Sequence, residues 1–178
     1  MTPREVPQNP LGARGLPRHA ALVALSRDHH GVLVQAQALK RAARPRTLPQ
    51  AARDVARDYL RFYDAEIAGH MADEESVLLP LAGAVDPEGA ERILAEHREI
   101  EALTAAVRRT LAGGDVARET LGALGELLDD HVRFEERAFF MRVQQRLDAA
   151  ALARLGAALE RRRAERGRAP SCSLPPRR

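Results

Sequence analysis

Apolar residues recur at three- and four-residue intervals along four long stretches of the chain, the spacing that lines one face of an α-helix. The first stretch runs from about Pro17 to Ala43, with Leu22, Leu25, Val32, Ala36 and Leu39 as its stripe. RPRTLPQ (44–50) breaks it. Thr47 is the expected cap of a second helix over Leu48–Leu81, paired with Gln50 in a capping box, with Pro49 tolerated in the first turn. GAVDPEG (83–89) supplies Asp86 as N-cap and Pro87 as first helical residue of a third helix reaching Ala112. GGD (113–115) ends it, and Asp115 is the expected cap of a fourth helix running to Leu147. Asp148 can then cap a short fifth helix, AAALARLGAALERRR (149–163), unless the fourth helix continues into it unbroken. Short connections between long amphipathic helices imply antiparallel neighbours. The predicted class is all-α, an antiparallel up-down-up-down four-helix bundle with a short additional C-terminal helix. Residues 1–16, with Pro3, Pro7, Pro10, Gly12 and Gly15, read as an irregular lead-in, 17–147 as the bundle, 148–163 as the fifth helix, and 164–178 as a basic, disordered tail.

Histidine interrupts each of the four stripes once. His29 follows Leu25 by four and precedes Val32 by three, and His97 stands the same way between Ile93 and Ile100. His131 lies between Leu127 and Phe134, and His70 follows Ile67 by three. All four should therefore point inward. In an up-down-up-down bundle the starts of the first and third helices share an end with the finishes of the second and fourth. His29 and His97 lie 12 and 10 residues past Pro17 and Pro87, while His70 and His131 lie 11 and 12 before Leu81 and Val143. At about 1.5 Å per residue, all four sit roughly 15–18 Å from one end of the bundle.

Carboxylates join that layer. In HMADEESVLLPL (70–81) and HVRFEERAFF (131–140), Glu74 and Glu135 each follow a histidine by four, one turn away on the same face. Glu75 and Glu136 turn a further 100° or so towards solvent or a second shell. Buried carboxylates drift towards the neutral form unless paired, and no lysine or arginine occupies a matching inward position. A metal cation would supply the missing charge. Imidazole with carboxylate suits iron, manganese or zinc, while the lack of thiolate disfavours copper(I) and iron–sulfur clusters. A lone histidine on an apolar face is more often a hydrogen-bonded core residue, and His-x-x-x-Glu pairs can be surface pairs. Four histidines at one depth, two with inward glutamates, argue against both, and six side chains over-supply one ion, so two are expected.

Other candidates are less determined. His97-Arg-Glu-Ile-Glu101 repeats the spacing, and Glu101 is either a solvent-facing residue or a further ligand or second-shell acceptor. His30 has Ser26 and Arg27 behind it and belongs on the surface, and His19 is terminal and structural. Tyr59 and Tyr63 are core positions, and Tyr63 could also hydrogen-bond a small ligand at the metal.

Composition narrows the setting. The chain has 178 residues, enough for one domain with a real core. Aromatic residues at 3% and the absence of Trp favour helix over sheet. No run of 18 apolar residues suggests a membrane span, and MTPREVPQNPLGARG lacks the apolar core of a signal peptide, so cytoplasm is the expected compartment. Cys172, the single cysteine, can form neither an internal disulfide nor a thiolate cluster. The net charge of +3 conceals a basic end, RRRAERGRAPSCSLPPRR from 161 onward. Without a recognition-helix pattern or interleaved aromatics, nucleic acid is not its expected partner.

Together the motifs are similar to those of the hemerythrin family, in its bacterial HHE cation-binding branch. LSRDHHGVL resembles the first-helix signature, FYDAEIAGHMADEESVLLP the second, ILAEHREI the third and LLDDHVRFEERAFF the fourth. The resemblance spans about residues 18–147. It implies a four-helix bundle with a non-haem di-iron centre held by His29, His70, Glu74, His97, His131 and Glu135, with Glu74 and Glu135 bridging. Oxygen carriers of the family have a second third-helix histidine one turn from His97, where this chain has Ile93 and Glu101. They also place the fourth-helix carboxylate five residues after its histidine, which would select Glu136 rather than Glu135. Both departures weigh against reversible oxygen transport.

The expected function is a di-iron protein binding O₂, NO or peroxide in sensing, stress response or iron handling. An iron store, or a structural bundle around one zinc or manganese ion, is the alternative, and a nucleic-acid interaction protein using the basic tail is a third. A ferritin-type oxidase is disfavoured, because Ser26, Ile67, Leu94 and Leu128 stand where Glu-x-x-His pairs would need glutamate. Monomer and homodimer fit the sequence equally.

Overall fold

A computed structural model describes residues 17–168. These form five helices and no strand: α1 (Ala20–Ala42), α2 (49–82), α3 (Pro87–Ala112), α4 (118–146) and α5 (Ala149–Arg168). Among the described residues, no helix is long and apolar enough to cross a membrane. Leu147 is extended and separates α4 from α5. The last helix runs to Arg168 rather than stopping at 163, and along it Arg163 pairs with Asp28 on α1 and Arg166 with Asp73 on α2 while both stay partly open to solvent. The lead-in over 1–16 and the tail beyond 168, Cys172 included, lie outside the described residues.

Helix starts show where local signals hold. Asp86 accepts a hydrogen bond from Gly89 N at 3.4 Å with Pro87 in the first turn, and Asp148 accepts from Ala151 N at 2.7 Å. Thr47 does not cap α2. The N-cap is Leu48, and the Thr47 hydroxyl donates back to Arg41 O in the last turn of α1, a carbonyl that also accepts from Arg44 N. Asp115 does not cap α4 either; it accepts from Val116 N, and the helix begins two residues later, behind Ala117. Here Arg118 spans the gap, donating to the carbonyls of Ala42, Arg44 and Thr47.

Two apolar clusters fill the bundle, with a polar layer between them. One contains Val32, Ile67, Met71, Ile100, Leu128 and Val132, the other Leu25, Leu78, Ile93 and Phe139. On every long helix the stripe histidine sits between a residue of one cluster and a residue of the other. Apolar packing above and below therefore fixes the depth of four imidazoles.

The α1–α4 crossing is close enough to exclude a side chain at Gly125. A Cβ on Gly125 would lie 2.8 Å from Ala36 O and 3.0 Å from Lys40 N, backbone atoms that cannot swing aside. Gly125→Ala is therefore expected to destabilise the protein by about 1–3 kcal/mol through overpacking, despite alanine's better helix propensity. Thermal denaturation checks this, and a midpoint equal to or above wild type would contradict it.

Candidate metal centre

Each long helix delivers its ligand candidates from a buried face. His29 on α1, His70 and Glu74 on α2, His97 on α3, and His131 and Glu135 on α4 are all less than 5% exposed. Glu74 and Glu135 each open a wide π turn, Glu74–Leu78 and Glu135–Phe139. In α2 the cause lies just downstream. Pro80 has no N–H and would clash with the preceding turn of a regular helix, and a wider turn relieves both problems.

The inner faces of the four imidazoles meet around these two carboxylates. His29 Nε2 lies 3.0 Å from Glu135 Oε2 and 3.1 Å from His70 Nε2. His70 Nε2 is 3.2 Å from Glu74 Oε1, His97 Nε2 is 3.4 Å from Glu74 Oε2, and His131 Nε2 is 3.5 Å from Glu135 Oε2. Two groups result. His29, His70, Glu74 and Glu135 form one, and Glu74, His97, His131 and Glu135 the other, each with donor atoms within 4.8 Å of one another and able to hold a metal ion. The glutamates belong to both.

These contacts satisfy a cation better than they satisfy each other. Both oxygens of Glu74 and of Glu135, and Nε2 of His97, are buried without a well-aligned hydrogen bond, an arrangement that buried polar atoms otherwise avoid. Donors about 3 Å apart suit neighbouring ligands on one ion with bonds of about 2.1 Å. The donor set therefore fits a metal. Charge tells the same story. Burial opposes charge on His29, but contacts with Glu135 and Glu136 overcome it and raise its pKa to about 9. Burial also opposes charge on His70, yet Glu74 and Asp28 raise it to about 10. Glu74 is pushed up by burial and pulled well below the usual carboxylate range by His70 and His97. The carboxylates demand positive charge at this spot, from protons if not from an ion.

On the outer side, every imidazole Nδ1 meets a carboxylate. The pairs are His29–Glu136 at 2.7 Å, His70–Asp28 at 3.2 Å, His97–Glu75 at 2.8 Å and His131–Glu96 at 2.8 Å. Such pairing fixes the tautomer, leaves Nε2 free to ligate and raises ligand basicity. Glu75 and Glu136 thus hold outer imidazole nitrogens, and Glu136 lies outside both donor groups. Asp28 and Glu96 were not anticipated from the sequence. Asp28 directly precedes His29, and Glu96 directly precedes His97, yet each serves a histidine of another helix, so no spacing along the chain reveals the pairing.

Two further features escape the periodic pattern. Arg18, 4% exposed, binds Glu136 Oε2 at 2.6 Å and also donates to Glu136 O. The predicted first helix includes it, but eleven residues before His29, so nothing along the chain pairs it with Glu136 on the fourth helix. Arg92 donates to Glu96 at 2.7 Å while lying over the Phe134 ring, 3.8 Å from its centroid. Glu101 is exposed and in neither donor group. Tyr63 is half-buried and, among the described residues, makes no hydrogen bond to the cluster, and Tyr59 instead bonds Thr104 at 2.8 Å. His30 is exposed, and His19 caps α1 by accepting from Ala21 N.

The family model described as the hemerythrin HHE cation-binding domain matches residues 21–143. No curated protein and no solved structure matches the chain significantly.

Proposed function

The chain belongs to the hemerythrin HHE cation-binding family, and from that membership and the donor geometry we propose a non-haem di-iron protein that binds a small ligand such as O₂, NO or peroxide. The observation that carries this reading is the pair of four-donor groups sharing Glu74 and Glu135. His29 and His70 would hold one iron and His97 and His131 the other, with Glu74 and Glu135 available to both. The short α2–α3 and α3–α4 connections support an up-down-up-down arrangement of α1–α4 around the pair.

Iron held by these donors would supply a redox-active Lewis acid suited to a diatomic or peroxide. The protein's part is to keep the four Nε2 atoms aimed inward through their outer carboxylates, to hold two negative charges at the bridge, and to surround the layer with apolar packing. Phe140 stacks on His29 with ring centroids 5.6 Å apart. A cavity of about 200 Å³ lined by Arg27, Asp28, Gly31, Phe62, Glu66 and His70 opens at the outer edge of the His70 side. With Glu101 exposed and Ile93 buried, neither neighbour one turn from His97 supplies a further donor, which favours sensing, stress response or iron handling over reversible oxygen carriage.

Iron analysis and near-ultraviolet/visible spectra of protein purified under air, then reduced and exposed to NO, test the proposal. Two irons per chain with charge-transfer bands that change with NO are expected. A single redox-silent zinc or manganese ion would support the structural-bundle alternative instead, and a colourless, metal-free protein would end both readings.

The outer carboxylates provide a finer test. Glu136→Ala removes the acceptor that orients His29 and leaves Arg18 without its buried partner. Iron affinity is expected to fall about 10–100-fold, the usual consequence of losing such an outer contact. Competition with a ferrous chelator measures it, and an unchanged affinity would show that His29 needs no such support.

A further inference from the structure

Two carboxylates flanking the site are neutralised from α5. Asp28, which bonds His70 Nδ1 at 3.2 Å, is paired with Arg163, whose guanidinium also donates to Ala24 O. Asp73, the residue before Glu74, has no solvent exposure, and among the described residues the cations reaching it are Arg162 at 3.5 Å and Arg166 at 2.7 Å. Arg166 crosses α2 at Gly69, where a Cβ would overlap its guanidinium. Glycine is otherwise a poor residue for the middle of a helix.

Docking alone does not require this arrangement. Leu152, Leu155 and Leu159 are buried and Gly156 sits close against Ala21, which is enough to seat an amphipathic helix on the bundle. A basic face serving only solubility would leave its arginines in water. Neither accounts for a wholly buried aspartate beside Glu74 whose positive partners come from another helix, nor for the glycine that admits one of them.

We propose that α5 is a positioning element for the α2 arm of the site, Arg163 holding Asp28 against His70 and Arg166 holding the turn that carries Glu74. The inference rests on the two-iron reading above. Because His70 serves one ion and Glu74 both, the two contacts have separable effects. Without Arg163 the His70 branch loosens, whereas without Arg166 a buried charge beside the shared carboxylate loses a partner and the π turn shifts.

Release of ferrous iron to a chelator under anaerobic conditions, from the full-length protein, tests this. Arg163→Ala is expected to speed loss of one iron about 10-fold, the lower end of the usual effect of disrupting an outer contact, and to leave the second at the wild-type rate. Gly69→Ala displaces Arg166 while improving helix propensity, and is expected to speed loss of both. Arg163→Lys should restore slow release. Electrostatics alone predicts the opposite sign, since removing a cation beside the site favours a bound metal ion. Unchanged or slowed release in both alanine variants therefore overturns the proposal. Equal acceleration of both irons by Arg163→Ala would make α5 a general stabiliser and overturns it too. A wild type that holds no iron removes the premise and the proposal with it, whereas two irons released at wild-type rates from the variants sink the proposal alone.

Discussion

Glu135→Ala is expected to strip both irons from the protein, whereas His131→Ala is expected to leave one. The difference follows from membership. Glu135 contributes to both four-donor groups, and His131 to only one. Removing the carboxylate takes a donor and a negative charge from each ion together, and the adjacent Glu136 is already committed to His29 and Arg18. Loss of an outer contact already weakens metal binding about 10–100-fold, so loss of a shared ligand should weaken each ion by at least about 100-fold. Metal analysis after anaerobic loading and desalting should then find well under one iron per chain. His131→Ala leaves His29, His70, Glu74 and Glu135 intact and should retain close to one. Retention of two irons by Glu135→Ala would show that the glutamate does not bridge. One iron in both variants would show that the groups do not share it.

The layer itself was legible because two periodicities coincide there. A histidine that replaces a leucine on a 3.6-residue stripe must point inward, and its distance from a helix end gives its depth. Both follow from sequence when helix ends are marked, as Pro87 marks α3. Glu74 and Glu135 follow by the same rule.

Less legible was everything that depends on which helix lies next to which. Glu96 supports His131 across the α3–α4 contact, although its chain neighbour is His97. Asp28 supports His70 across α1–α2 in the same way. The π turns also change what spacing means. A regular helix turns Glu136 well away from Glu135, yet the two contact opposite nitrogens of the same imidazole, His29. The misread caps have a related cause: Thr47 and Asp115 carry the right side chains, but the Thr47 hydroxyl turns back to Arg41 O at the end of α1 and Asp115 accepts from the adjacent Val116 N instead of from the first turn of α4. The arginines of α5 look like a solvated run because their partners, Asp28 and Asp73, lie more than eighty residues away in sequence.

Removing the metal is expected to lower the thermal midpoint sharply without unfolding the protein at neutral pH. An ion present at about 1,000 times its dissociation constant stabilises the native state by about 4 kcal/mol. Two such ions, at about 2–4 °C per kcal/mol for a domain of this size, correspond to a fall of roughly 15–30 °C on chelation. Protons limit the damage. With pKa values raised to about 9 and 10, His29 and His70 remain charged at pH 7 in the stripped protein and face Glu135 and Glu74 in the ions' place. Both values exceed the 6.5 of an unfolded histidine, so this stabilisation is complete below pH 6.5, shrinks above it, and is gone once pH passes 9 and then 10. The stripped protein should therefore lose stability steadily between pH 7 and pH 10. Metal replaces those protons in the loaded protein, so its midpoint should change much less and the gap between the two should widen. Melting curves followed by circular dichroism at pH 7, 8.5 and 10, with and without chelator, measure that gap. A constant gap would mean that protons do not stand in for the metal, and no gap at any pH would mean that the buried layer needs no cation.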